Sequence, residues 1–129
     1  MKIKKLILDA NILIEAVKGG SGIFSHLEEV FPGCELVTSR SVVLEVEKIS
    51  RGRSKISKAA KLALQFAERN SLKIKKTKSK GDDSLIELCD AGSVLISQDK
   101  ELRKRCVENG FLAGYLRDRR YLMFGREIR

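Results

Sequence analysis

Apolar residues follow two rhythms along this chain. Continuous runs at 3–8 and 92–97, with a shorter one at 35–38, have the length and branched-chain content of buried strands, and polar residues or glycines bound them. Between them the spacing turns helical. Residues 12–17 begin a helix that Gly19, Gly20 and Gly22 interrupt, and a second helical piece at 23–31 stops at Pro32-Gly33. Ser39 or Ser41 caps a helix running to Ile49. Ile56, Ala59, Ala60, Ala63, Leu64, Phe66 and Ala67 then lie on or near one face of an amphipathic helix ending around Arg69-Asn70.

A short alternating strand at 72–75 and a lysine-rich loop lead to Asp82-Asp83, which open a helix carrying Leu85, Ile86, Leu88 and Cys89. Asp99 begins another helix at 100–108, with Leu102, Cys106 and Val107 inward and Arg103, Lys104 and Arg105 largely exposed. After Asn109-Gly110 come two short strands, 112–116 and 121–124, joined by residues 117–120. Strands alternating with helices in this order imply an α/β protein: a three-layer α/β/α arrangement around a central, mainly parallel sheet. No internal repeat or linker divides the chain, so residues 1–129 are expected to form one domain.

Charge narrows the function. The chain carries 26 Lys and Arg against 17 Asp and Glu, a net +9 spread over both halves, and such a field favours polyanions such as RNA or DNA. A solvated lysine-rich surface of the thermophile kind has the same composition. Neither a membrane span nor a signal peptide is visible, which implies a cytoplasmic protein. Three separated cysteines suggest neither a disulfide framework nor a zinc knuckle, and Cys89 reads as a small core residue. With His26 the only histidine, carboxylates are the expected chemistry.

The acids stand at informative places. Asp9 and Asp99 each close an apolar strand, where an acid can cap the next helix or face a ligand crevice. Glu45 is surrounded in sequence by Val42, Val43, Leu44, Val46 and Ile49, with Glu47 and Lys48 as the wet side; an embedded carboxylate needs a partner. Capping explains one of Asp82 and Asp83 but not both. In a parallel sheet Asp9, Asp82 and Asp99 can converge on one edge, with Glu45 reaching in from its helix. Mutual repulsion would then call for a divalent cation, and all-oxygen ligation suits Mg2+ or Mn2+. Such a cage is the metal arrangement of phosphodiester-cleaving nucleases.

These motifs together resemble the PIN domain, the small metal-dependent ribonuclease fold of VapC-type toxins and of certain ribosomal-RNA processing nucleases. Leu8-Asp9-Ala10-Asn11 is similar to the family's opening strand and Asp-x-Asn motif, and residues 41–49 to its helix with an inward glutamate. Gly81-Asp82-Asp83-Ser84-Leu85-Ile86 corresponds to the third acidic motif, and residues 96–102 to the fourth. The resemblance spans nearly the whole chain and implies Mg2+- or Mn2+-dependent endonucleolytic cleavage of single-stranded RNA. It also implies that Asp9, Glu45, Asp82 and Asp99 are the catalytic metal ligands, with Asp83 in reserve for Asp82. Asn11 and Ser97 would orient them, Ser97 standing where threonine is commoner.

On charge alone, the RNA-contacting surface is expected at Lys73, Lys75, Lys76, Lys78 and Lys80, with Arg51, Arg53, Arg117, Arg119 and Arg120. The resemblance further implies an antitoxin protein or ribosome-assembly factors as partners, and a homodimer. The competing reading is a catalytically silent PIN-like module that binds RNA or protein. A dehalogenase-type phosphatase would want an acid where Asn11 stands. A dinucleotide-binding domain would want a glycine-rich turn directly after a strand, which is missing.

Overall fold

The computed structural model describes residues 2–18, 22–118 and 121–125. Its elements are β1 (Lys5–Leu8), α1 (Ala10–Glu15), α2 (Gly22–Val30), β2 (Glu35–Ser39), α3 (Arg40–Ser50) and α4 (Lys55–Arg69). They continue with β3 (Lys73–Lys75), α5 (Gly81–Leu88), β4 (Ser93–Ile96), α6 (Lys100–Glu108), β5 (Leu112–Arg117) and β6 (Tyr121–Gly125). The six strands form one sheet in the order β3-β2-β1-β4-β5-β6, parallel throughout except for β5 against β6. Helices cover both faces in three α/β/α layers, as the alternating pattern implied.

Strand β4 is buried from end to end, and β1 from Leu6 onward. Leu6, Ile7 and Leu8 of β1 and Val94, Leu95 and Ile96 of β4 are almost fully hidden, which explains why they read as continuous apolar runs rather than as alternation. Edge strand β3, by contrast, is exposed along its length. α1, α3 and α4 pack on one another, and α5 packs on α6. Ser39 rather than Ser41 caps α3, its hydroxyl accepting the Val42 amide at 3.0 Å.

Three expectations are corrected. Glu45 is exposed, as is its neighbour Leu44, because the hidden stripe of α3 runs through Val42, Val43 and Val46; helical phase carries Glu45 to the margin of that stripe despite its apolar neighbours in sequence. Glu47, expected on the wet side, is half-buried and lines a cleft between α3 and α4 together with Leu13, Ala63 and Leu64. Arg103, expected exposed, is buried at 6 % exposure, because it shares the inward face of α6 with Leu102 and Cys106. The sulfurs of Cys89 and Cys106, distant in sequence, come within 3.9 Å as free thiols.

Two contacts tie β5 to the strand beside it and to the edge strand. The Ser97 amide donates to the Gly114 carbonyl at 2.9 Å, and Gly114 pairs with Phe124 of β6. A Cβ at Gly114 would stand 2.7 Å from the Met123 carbonyl oxygen and 3.0 Å from the Phe124 Cβ. Gly114→Ala is therefore expected to push β6 away and cost about 1–3 kcal/mol, read as a lowered urea midpoint. An unchanged midpoint would show that β6 yields freely.

Candidate active site

Strand order reverses between β1 and β4: the chain leaves β1 for β2 and β3 on one side, then returns to β4 on the other. In open α/β sheets the crevice beyond the carboxyl ends of such a pair is where ligands sit. Asp9 follows β1 and Ser97-Gln98-Asp99 follows β4, whose ends are in register at Leu8 and Ile96. The sequence thus puts its two strand-closing acids at the switch point.

Asp9 is buried at 6 % exposure and held on both oxygens. Oδ1 accepts the Ile12 amide at 2.9 Å and so caps α1, while Oδ2 accepts the hydroxyl of fully buried Ser97. Desolvation pushes the Asp9 carboxyl up to about 6; the Ser97 and Ile12 hydrogen bonds oppose the rise, and the charges of Asp82 and Asp99 add to it. Asp9, Asp82 and Asp99 therefore share one electrostatic environment, although they come from three separate parts of the chain.

Asp99 caps α6: its Oδ1 accepts the Glu101 amide at 2.9 Å and the Leu102 amide at 3.3 Å. Its own amide donates to the Ser97 hydroxyl oxygen at 3.0 Å, so Ser97 links Asp9 to Asp99 directly. Asn11 is exposed on the first turn of α1, beside Asp9 in sequence, and makes no side-chain hydrogen bond among the described residues. Neither Asp82 nor Asp83 caps α5. Lys80 holds that position without a side-chain bond, and the Gly81 amide donates to Ser41 Oγ at 2.8 Å instead. Asp83 turns to Arg105 in an ion pair, leaving Asp82 as the member of the pair whose charge reaches Asp9.

Glu45 stands one and a half turns into α3, exposed and without a hydrogen bond or ion pair among the described residues. The structure does not draw it into the group around Asp9. Among the described residues, no three Asp, Glu, His or Cys side chains close on one point as a ready-made metal cage. In chemistry the donor set nonetheless fits a hard divalent cation: carboxylate oxygens only, with one acid whose charge is disfavoured chiefly by burial and further by two like charges.

Several supporting groups escaped the sequence reading. Thr38 is fully buried and donates its hydroxyl to the Leu8 carbonyl at 2.6 Å, fixing the end of β1 just before Asp9. Buried Ser84 donates to Ser39 Oγ at 2.7 Å, joining α5 to the end of β2. Arg103 donates from Nη1 to the Ser97 carbonyl at 2.8 Å, with its guanidinium 4.7 Å from the centre of the Tyr115 ring. A hydroxyl where an apolar strand ends could have signalled Thr38, whereas nothing along the chain marks Ser84 within α5. For Arg103 the signal was its helical phase between Leu102 and Cys106. His26 is structural, accepting the Leu122 amide at 2.9 Å.

The expected RNA-binding cations divide by position. Lys76 directly follows β3, and Arg117 ends β5 with its guanidinium 5.9 Å from the Tyr121 ring centre, so both stand at the edge that carries the acids. Lys75, Lys78 and Lys80 are exposed beside that edge. Lys73 is committed to Glu35 at the opposite end of β3. Arg51 and Arg53 lie past the far end of α3, about 16 Å from its start at 1.5 Å per residue. Arg119 and Arg120 lie outside the described residues. A cleft of ≈ 600 Å³, lined by Phe24, Phe31, Cys34 and Glu35, opens at the amino ends of the strands, away from the acids.

Comparison with known proteins agrees with this fold. Residues 6–119 match the PIN like domain family. The chain is 32% identical over 121 residues to Ribonuclease VapC9 of Archaeoglobus fulgidus, a match covering 91% of this chain and 86% of that protein. Among solved structures it is similar to the PIN domain endonuclease Utp24, with a TM-score of 0.75 at 18% identity, covering 96% of this chain and 92% of that one. It is also similar to a domain of a functionally unknown protein from Methanocaldococcus jannaschii, with a TM-score of 0.65 at 16% identity, covering 88% and 91% of the two chains. With the family match running from β1 to the end of β5 and beyond, and with its acids gathered where β1 and β4 part, the chain belongs to the PIN-like domain family.

Proposed function

We propose that this protein is a divalent-metal-dependent endoribonuclease that hydrolyses phosphodiester bonds of single-stranded RNA. The observation that carries the reading is Asp9: a carboxylate buried at the switch point, pinned by Ser97 and raised to about 6, with the charges of Asp82 and Asp99 bearing on it. Keeping such a group costs the fold stability, and a bound cation offsets that cost.

In this reading Asp9, Asp82 and Asp99 would hold Mg2+ or Mn2+, with exposed Glu45 as the fourth ligand; Asp83, paired with Arg105, is the reserve. Each carboxylate oxygen of Asp9 has one lone pair left after its hydrogen bond, so the cap and the ligand role coexist. A divalent ion bound by these carboxylates would supply positive charge at the scissile phosphodiester and make a bound water more acidic. Ser97 orients Asp9, and Asn11 is available to a ligand from the first turn of α1. Lys76 on one side and Arg117 on the other draw the RNA backbone across the sheet edge.

Of the two cellular roles that the family resemblance implies, the 32% match to Ribonuclease VapC9 supports a toxin-type ribonuclease, with an antitoxin as its protein partner. The likeness to Utp24 is one of fold and carries no weight on role.

Titrating Mn2+ while following thermal unfolding near neutral pH tests the metal site. At a concentration about 100 times the dissociation constant, the midpoint should rise by roughly 5–10 °C. Asp9→Asn should respond far less. A flat response in the wild type favours a catalytically silent PIN-like scaffold instead.

A further inference from the structure

Beside the acids, between the start of α3 and the loop that enters α5, lies a cleft of ≈ 440 Å³. Arg40, Lys76 and Lys80 line it, no carboxylate does, and none of the three cations forms an ion pair among the described residues. Three hydroxyls also face it. Thr77 spends its proton on the Ser79 carbonyl at 2.7 Å, and Ser79 spends its own on Glu87 at 2.8 Å. Ser41 accepts from the Gly81 amide and keeps its proton to donate. The remaining wall is Leu44, an apolar side chain 48% exposed.

The cleft has a built shape. Both the Lys78 and Ser79 amides donate to the Glu87 carboxylate, which folds the lysine loop back onto α5 and fixes where Lys76 and Lys80 emerge. Arg40 and Lys76 are the first residues past β2 and β3, whose last residues Ser39 and Lys75 are in register. Neighbouring strands lie about 4.8 Å apart, so the cleft sits roughly 5–10 Å across the edge from the strand that ends at Asp9. Three uncommitted cations, one free hydroxyl donor and an apolar wall suit a ligand that is both an anion and a flat apolar body.

We propose that this cleft is a nucleotide subsite of the RNA, holding the phosphodiester next to the one presented to Asp9. Arg40, Lys76 and Lys80 take the phosphate oxygens, Ser41 donates its hydroxyl, and the nucleoside rests on Leu44. The proposal rests on the ribonuclease reading above, in which Arg40, Ser41 and Leu44 have no part.

The test measures binding and cleavage of a labelled oligouridylate over a series of salt concentrations. The proteins are the wild type, Arg40→Ala, Lys76→Ala, Lys80→Ala, Lys76→Glu and Leu44→Ser, with Lys61→Ala, an exposed position of α4, as control. Each alanine variant should weaken binding and flatten the logarithmic salt slope by roughly 0.7 per lost phosphate contact. KM should rise about tenfold with kcat held, and Lys76→Glu should exceed Lys76→Ala. Leu44→Ser should weaken binding with the slope unchanged, and Lys61→Ala should match the wild type. Slopes and KM equal to wild type in the three cation variants, with the wild type binding and cleaving normally, would overturn the subsite alone. A wild type that neither binds nor cleaves the oligonucleotide overturns the ribonuclease reading and the subsite with it.

Discussion

Asp9→Asn is expected to make the protein more stable above neutral pH, by up to about 3 kcal/mol. The Asp9 carboxyl titrates at about 6 in the fold against 3.8 when free, chiefly because burial disfavours its charge. A group raised in this way favours the folded state fully below its free value, and that contribution is lost as pH rises through the folded value. Above pH 6 the protein therefore carries the cost of a buried charge, which roughly two pH units of difference convert to ~3 kcal/mol. Asparagine keeps the shape and caps a helix as well as aspartate does, but it never ionises. Urea midpoints of the two proteins should coincide near pH 4, part between pH 4 and 6, and stay apart above. Saturating Mn2+ should close the gap by stabilising only the wild type. An Asp9→Asn protein that is less stable than wild type at pH 8 without metal would contradict the assignment of Asp9 as a strained functional acid.

The second large effect is expected at Arg103. Its guanidinium is buried, holds the Ser97 carbonyl at 2.8 Å and stacks on Tyr115, yet no carboxylate among the described residues pairs with it. Arg103→Ala removes the hydrogen bond, the ring contact and the packing of the stem together, for an expected loss of about 2–4 kcal/mol. Arg103→Met, which restores most of the volume, should lose about half as much. Because the Ser97 hydroxyl links Asp9 to Asp99, the truncation should also slow cleavage. If chemical denaturation finds Arg103→Ala within 0.5 kcal/mol of wild type, a threshold of roughly the scatter of neutral surface changes, the buried position carries no such weight.

Much of the fold could be read directly from the chain because its signals are local. Buried parallel strands are continuous apolar runs, and each ends at residues that mark its exit, so Asp9 and Asp99 stand out in the sequence itself. Convergence of the two also followed, since a parallel sheet sets its strand ends on one edge. What stayed hidden depended on helical phase and on distant partners. Glu45 has apolar neighbours in sequence but a solvent-facing place on α3, and Arg103 sits in a basic triplet yet points inward. The difference between Asp82 and Asp83 rests on Arg105, 22 residues further along, which occupies the second acid and leaves the first to Asp9. Thr38 and Ser84 matter through bonds to other strands and helices, which no spacing along the chain encodes.

Manganese-supported cleavage of a labelled single-stranded RNA, by wild type and by Asp9→Asn side by side, tests the central claim most directly. Wild type should cut internally, and the variant, folded and more stable at pH 8, should be slower by more than ~100-fold, beyond the usual cost of losing a group that merely supports a metal ligand. Equal cleavage by the two proteins, or none by well-folded wild type with Mn2+ present, would contradict the assignment of this edge as the active site of a ribonuclease.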